Sequence, residues 1–248
     1  MNHRELMETM KTGWNTWNTR SVLSHVLLPD GLAINLGIKN YQTSQVIRES
    51  LIGRFEEHAE KIHPGQRSYD GRYTELNWKN DNLEIVFKSM VHQGELFLMA
   101  IPQTAAIRPP MLLVEASLLW NKPGAIRLEG DCLRADLPDR TITISTSGRL
   151  AVEMNTGATG PYLAVALDRP VLIQTGAVVE PTQVESWFQA ARDEVEAAAQ
   201  PYGDCRELYG AMKTCLAWDT IYEPEKDQVC TPVSRLWNLH WGGYVLFC

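Results

Sequence analysis

Hydrophobic and polar positions change rhythm once along the chain, near Glu180. Before that point, short apolar or alternating runs are separated by Gly, Pro, Asn and Asp. They fall at 22–28, 32–38, 83–91, 96–101, 112–120, 141–146 and 162–167. Thr141-Ile142-Thr143-Ile144-Ser145 alternates fully, and Leu83-Glu84-Ile85-Val86-Phe87-Lys88 alternates in part. A period of two buries one face of a strand and leaves the other to solvent. Many short runs of this kind, punctuated by turn residues, predict an antiparallel β-sandwich over residues 20–175. Asn80-Asp81-Asn82, Gln93-Gly94 and Gly130-Asp131 read as hairpin turns. Residues 44–61 fit either a strand and loop or a short helix.

After Glu180 the period becomes helical. Val184, Trp187, Phe188, Ala191, Val195 and Ala198 share one face, while Asp193, Glu194 and Glu196 lie off it. Pro181 and Thr182 suit a helix start, and Pro201 and Gly203 a break. A second helix is predicted over 204–218, burying Cys205, Leu208, Tyr209, Met212 and Cys215. The mainly β part therefore spans 1–180, and 181–248 forms a helical continuation.

Composition changes this picture little. Of 248 residues, 44% are hydrophobic and 21% charged, an ordinary balance for a globular protein. The formal net charge of −7 disfavours a nucleic-acid or anionic-membrane surface, since both need clustered positive charge. The segment Met1 to Lys11 is polar, without the apolar run of a signal peptide, and no long apolar span occurs. The expectation is a cytoplasmic protein with no membrane partner. The five cysteines contain no Cys-x-x-Cys and are expected to be reduced core thiols. No phosphate-binding glycine loop, nucleophile elbow or close metal-ligand pair is present, so no cofactor or metal is expected. His25 is expected in the core or at a sheet edge.

Candidate chemistry gathers at the two ends. Trp218, Tyr222, Trp237 and Trp241 fall with Arg235 and several carboxylates in an irregular segment. Aromatic faces stack on the C–H faces of sugar rings while polar groups bond the hydroxyls, so this mixture suits a carbohydrate cleft. It also suits a buried aromatic corner. Near the N-terminus, Trp14-Asn15-Thr16-Trp17-Asn18 allows the same two readings: indoles and amides lining a cleft, or tryptophans capping the sandwich core. The substrate-binding candidates are Trp14, Asn15, Trp17, Asn18, Trp218, Asp219, Tyr222, Trp237, Asn238 and Trp241. Asp219 could bond substrate or satisfy the helix end, and Arg235 could pair with Glu223 or Glu225.

Three stretches carry a family resemblance. One is Trp218-Asp219-Thr220-Ile221-Tyr222-Glu223-Pro224-Glu225-Lys226, with Pro232-Val233-Ser234-Arg235-Leu236-Trp237-Asn238, running into Trp241-Gly242-Gly243-Tyr244-Val245-Leu246-Phe247. The second is Gly13-Trp14-Asn15-Thr16-Trp17-Asn18 with Ser21-Val22-Leu23-Ser24-His25-Val26-Leu27-Leu28-Pro29. The third is Pro64-Gly65-Gln66-Arg67-Ser68-Tyr69-Asp70-Gly71-Arg72-Tyr73-Thr74-Glu75-Leu76. Together they resemble glycoside hydrolase family 63 and its bacterial relatives, which include α-glucosidases and mannosylglycerate hydrolases. The resemblance implies a β-sandwich followed by an (α/α)6 barrel, hydrolysis of α-glycosidic bonds with inversion, and an oligosaccharide or α-glucoside as substrate.

In that family an acidic residue, a Trp and the general-acid Asp come directly after the Gly-Gly-Tyr-Val-Leu-Phe run. Here Cys248 holds the first of those places. Inverting hydrolysis needs two carboxyl groups roughly 6.5–9.5 Å apart. By the family pattern this chain carries neither, so Asp219 is not the acid and no catalytic residue is assigned. The expectation is a truncated N-terminal part of an inverting α-glycosidase, inactive alone. The alternative is a stand-alone carbohydrate-binding or structural β-sandwich.

Overall fold

The computed structural model describes residues 3–15, 21–50, 60–68 and 70–231. The order begins α1 (His3–Lys11), β1 (Trp14–Asn15), β2 (Ser24–Leu27), β3 (Leu32–Asn40), β4 (Gln45–Ile47), β5 (Glu60–Arg67) and β6 (Tyr73–Asn80). It continues through β7 (Leu83–His92), β8 (Glu95–Pro102), β9 (Met111–Leu118), β10 (Ala125–Glu129), β11 (Cys132–Asp136) and β12 (Thr141–Thr146). Then come β13 (Leu150–Ala151), β14 (Tyr162–Ala166), β15 (Val171–Thr175), α2 (Pro181–Ala199), a 3-10 turn (Gln200–Cys205), α3 (Arg206–Asp219), β16 (Ile221–Glu223) and β17 (Gln228–Cys230).

Among the described residues the strands form two large antiparallel sheets and one small hairpin. The first sheet runs β1-β2-β3-β9-β14-β13, with β4 on the far end of β3; the second runs β10-β11-β12-β15-β8-β7-β6-β5; β16 pairs with β17. Their inner faces meet. Leu32, Ile34, Leu36 and Ile38 of β3 pack in one core with Leu83, Ile85 and Phe87 of β7 and with Ile142 and Ile144 of β12. The alternation in the sequence is thus the alternation of two packed sheets, and the expected antiparallel sandwich is present. The hairpin turns work as their residues suggest. Gln93 (φ 52°) and Gly94 (φ 84°) join β7 to β8, and Asp81 (φ 48°) joins β6 to β7.

One polar group lies deep between the sheets. His25 is buried, and its Nδ1 meets no hydrogen-bond partner. Its neighbours across a small gap include Thr74 and Ser89, whose hydroxyls bond each other at 2.5 Å. Burial lowers its pKa to about 3.

Segments beyond residue 180 cover the outer faces. α2 starts at Pro181, where the missing N–H is harmless. Its Val184, Phe188 and Val195 bury against Tyr73, Met90, Phe97, Met99 and Leu172 on the outer face of the second sheet. Ala198, expected on that stripe, is exposed. Pro201 and Gly203 (φ 51°) bring in the 3-10 turn. α3 then departs from the sequence reading. Leu208 (60% exposed), Met212 (59%) and Leu216 (43%) point outward, and among its described side chains Lys213 and Ala217 are the buried ones. Periodicity identified the apolar stripe correctly but not what covers it. The cysteines are a second correction: of the four that are described, Cys132 and Cys230 are half-buried and Cys205 and Cys215 exposed, all free and none in the core, while Cys248 lies outside the described residues. No helix among the described residues is long and apolar enough to cross a membrane.

Candidate functional site

The strand β9 runs out through Leu119 into a turn at Trp120 and Asn121. Both adopt left-handed backbone, with φ of 57° and 54°. Asn visits this region readily because its short side chain can bond locally; an indole-bearing residue does not, and such a conformation costs of order 1–3 kcal/mol. Local bonds hold it. Leu119 N–H donates to Gly31 O at 2.8 Å and Lys122 N–H to Leu119 O at 3.1 Å. Gly31, itself at φ 66°, makes room: a Cβ there would sit 2.8 Å from Leu119 O and 3.3 Å from the Trp120 ring. The outcome is a Trp side chain held 37% exposed at the end of a rigid strand.

The β16–β17 hairpin brings a second ring to it. Tyr222 lies 5.0 Å from Trp120, centroid to centroid, tilted at 50°. Beneath them Val26, Leu28 and Ala33 form an apolar floor with Leu119 and Val229. The Tyr222 hydroxyl donates to Asp227 Oδ1 at 2.7 Å. Burial, then that bond and the Asp227 and Glu223 charges, push the phenol pKa up to about 12. The Glu223 carboxylate accepts the N–H of Glu225 at 3.0 Å and of Lys226 at 2.8 Å, which closes the hairpin turn. Lys11 Nζ stands 4.0 Å from Asp227, so α1 also reaches this corner. Two rings with carboxylates beside them can stack on the apolar face of a sugar and accept its hydroxyl protons.

The other sequence candidates divide. Trp14 belongs to the inner core: it is 4% exposed, pairs in register with Leu27, and its indole N–H donates to Gly94 O at 3.2 Å. Trp14 and Tyr222 therefore lie on opposite faces of the same sheet edge. Asn15 is described through its backbone, which pairs with Val26. Trp218 is described as a backbone position in α3, and Asp219 closes that helix, half-buried. Trp17, Asn18, Trp237, Asn238 and Trp241 lie outside the described residues, as does Arg235. Trp120 was missed by sequence reasoning because it ended an apolar run. The signal available was Trp120 directly before Asn121-Lys122-Pro123-Gly124, a turn-rich tetrapeptide after a strand.

A polar hollow of about 430 Å³ on the outer face of the first sheet is a weaker candidate. Its central carboxylate, Glu115, is already occupied by the Arg48 guanidinium and by the N–H groups of Thr159 and Gly160 at 3.1 Å. Among the described residues no cluster of His, Cys, Asp and Glu could hold a metal ion. No protein-family model matches the chain, and no curated protein matches it either.

Proposed function

We propose that the chain serves carbohydrate metabolism as the N-terminal, non-catalytic part of an inverting α-glycosidase of the family 63 type, in the cytoplasm. The observation that carries this reading is the Trp120–Tyr222 corner. It offers two aromatic faces and neighbouring carboxylates beyond the end of a central strand, formed in part by the very segment that carries the family resemblance. In the resembling enzymes the sandwich precedes an (α/α)6 barrel. The outward apolar stripe of α3 supports its reading as the first helix of such a barrel, since a barrel helix needs apolar partners on that side. The same stripe argues against a stand-alone sugar-binding sandwich, which would have no use for it.

In this reading the chain binds α-linked gluco-oligosaccharides and does not hydrolyse them. The test is calorimetric titration of the purified chain with such oligosaccharides, beside an assay on aryl α-glucosides. Trp120→Asn keeps a residue that tolerates left-handed backbone and removes the ring. It should weaken binding by about fivefold or more, the worth of roughly 1 kcal/mol for a stacked ring. Absent binding, or equal binding by the variant, would discard the corner as a sugar contact. Turnover abolished by mutating a carboxylate of this chain would discard the non-catalytic role.

A further inference from the structure

The polar hollow on the outer face of the first sheet and the aromatic corner are neighbours. Strand side chains alternate between faces, so Ala33 and Asn35 of β3 and Glu115 and Ser117 of β9 face outward, while Leu32, Ile34 and Ala116 face the core. Ala33, a floor residue of the corner, is the register partner of Ser117, which lines the hollow. Leu119 belongs to both. At roughly 3.3 Å per strand residue, Ser117 stands only about 7 Å before Leu119. One continuous face therefore passes from apolar to polar along the outward side of β9.

Glu115 builds the walls of the hollow. Its carboxylate holds Arg48 on one side and the N–H groups of Thr159 and Gly160, at 3.1 Å, on the other. Beside it a hydrogen-bonded row crosses three strands. The Ser24 hydroxyl donates to Asn35 Oδ1 at 2.5 Å, and Asn35 Nδ2 donates to Ser117 Oγ at 3.3 Å. Among the described residues no acceptor takes the Ser117 proton, and Asn35 keeps a second amide N–H. Arg48 gives one N–H to Glu115 and one to Gly157 O, out of the five a guanidinium carries.

The hollow is thus rich in donors yet carries no net positive charge, since Arg48 and Glu115 cancel and Glu49 on its wall is acidic. A phosphate or carboxylate would find no counter-charge there. Neutral hydroxyl oxygens accept such donors and need none. At about 430 Å³ it falls within the size range of small-molecule sites.

We propose that the hollow and the aromatic corner form one oligosaccharide site, in which a sugar ring stacked at Trp120 and Tyr222 is followed by a second unit whose hydroxyls are bound by Ser117, Asn35 and Arg48. This rests on the carbohydrate reading of the corner, and adds where the next unit lies and what recognises it. An aromatic face tolerates many sugars; placed donors select among them.

The experiment is calorimetric titration of the whole chain with methyl α-glucoside, which has one ring, and maltotriose, which has three. Maltotriose should bind more tightly by about tenfold or more, because only the longer ligand reaches both ends. Ser117→Ala should weaken maltotriose binding about fivefold, the worth of one neutral hydrogen bond. Ser117→Thr keeps a hydroxyl and should bind like the wild type. Equal affinity for one ring and three overturns the second unit. Weakened maltotriose binding by Trp120→Asn, with wild-type binding by Ser117→Ala, overturns the hollow and leaves the corner standing. The reverse pattern overturns the joined site and the corner with it. Equal losses in Ser117→Ala and Ser117→Thr would trace the effect to packing and overturn the role of the hydroxyl. No binding of either sugar by the wild-type chain overturns both the hollow and the reading it rests on.

Discussion

α2 and α3 are successive amphipathic helices with stripes of similar strength in the sequence, yet they are used in opposite ways. α2 lays Val184, Phe188 and Val195 on the outer face of the second sheet, and Phe188 meets Tyr73 edge-on with ring centroids 6.4 Å apart. α3 turns its stripe outward and buries Lys213 and Ala217. The difference lies in what each helix finds opposite. The second sheet presents Tyr73, Met90, Phe97, Met99 and Leu172 to α2, an apolar surface already in place. α3 finds the edge strand β5, whose Gln66 and Arg67 border a hollow shared with the helix. A periodic stripe states that a face can be buried; only the neighbouring surface decides whether it is.

The sharpest way to break the comparison is to truncate equivalent apolar residues on the two helices. Phe188→Ala should lose about 3–5 kcal/mol of stability in denaturant unfolding, as buried aromatic truncations do. Leu208→Ser, on the outward stripe, should do almost nothing. A similar loss for both would mean that α3 is packed after all.

The next test contrasts the sandwich interior with these helices. His25 has a folded-state pKa of about 3 against 6.5 for the free side chain. The unfolded chain therefore takes up the proton first. The stability associated with neutral His25 is complete above pH 6.5 and lost as pH falls toward 3. The slope approaches about 1.4 kcal/mol per pH unit inside that window, so pH 4.5 should cost about 2 kcal/mol relative to pH 6.5. His25→Leu should remove this component, which is read as the difference in slope between variant and wild type. Parallel slopes would show that His25 charges without penalty.

Smaller effects are expected at the hairpin. Tyr222→Phe removes the bond to Asp227 and should cost about 1 kcal/mol or less, since that bond is exposed. A loss several times larger would mark the hydroxyl as a keystone of the corner. Smallest of all, Leu208→Ser with Met212→Ser should stay within about 0.5 kcal/mol of wild type. If light scattering shows self-association of the wild-type chain, the double variant should reduce it; persistence would free the α3 stripe from blame.

Most of the sandwich was legible because strand burial leaves a local trace. Thr141–Ser145 and Leu83–Lys88 show which face is inward, and Gln93-Gly94 shows where the chain reverses. α2 was legible for the same reason, with Pro181 marking its start. α1 was not: Leu6, Met7 and Met10 do recur at helical spacing, but the segment is short and otherwise polar and charged, and its polarity argues only against a signal peptide. The burial of α3 was not legible either, because it depends on β5, distant in sequence. At the site, Tyr222 was visible as an aromatic among carboxylates. Its partner Trp120 was hidden, since an indole in left-handed backbone contradicts local preference and is imposed by Gly31 and the turn around it. Trp14 shows the converse. Its motif allows both cleft and core, and the pairing with Leu27 and the burial of its ring put it in the core.

The covering of both outer faces bears on modularity. Val26, Leu28 and Ala33 lie under Tyr222 and Val229, while Phe97, Met99 and Leu172 lie under α2. Every described strand of the two large sheets is complete by Thr175, yet the segments that cover these two patches are synthesised afterwards. A ribosome releasing this chain would hold a finished sandwich with two sticky sides until residues 181–230 emerged. An engineer or a recombination event that cut at the change of rhythm near Glu180 would inherit the same liability. The unit that can be moved between proteins is accordingly the sandwich together with its later wrapping, and not the run of strands alone.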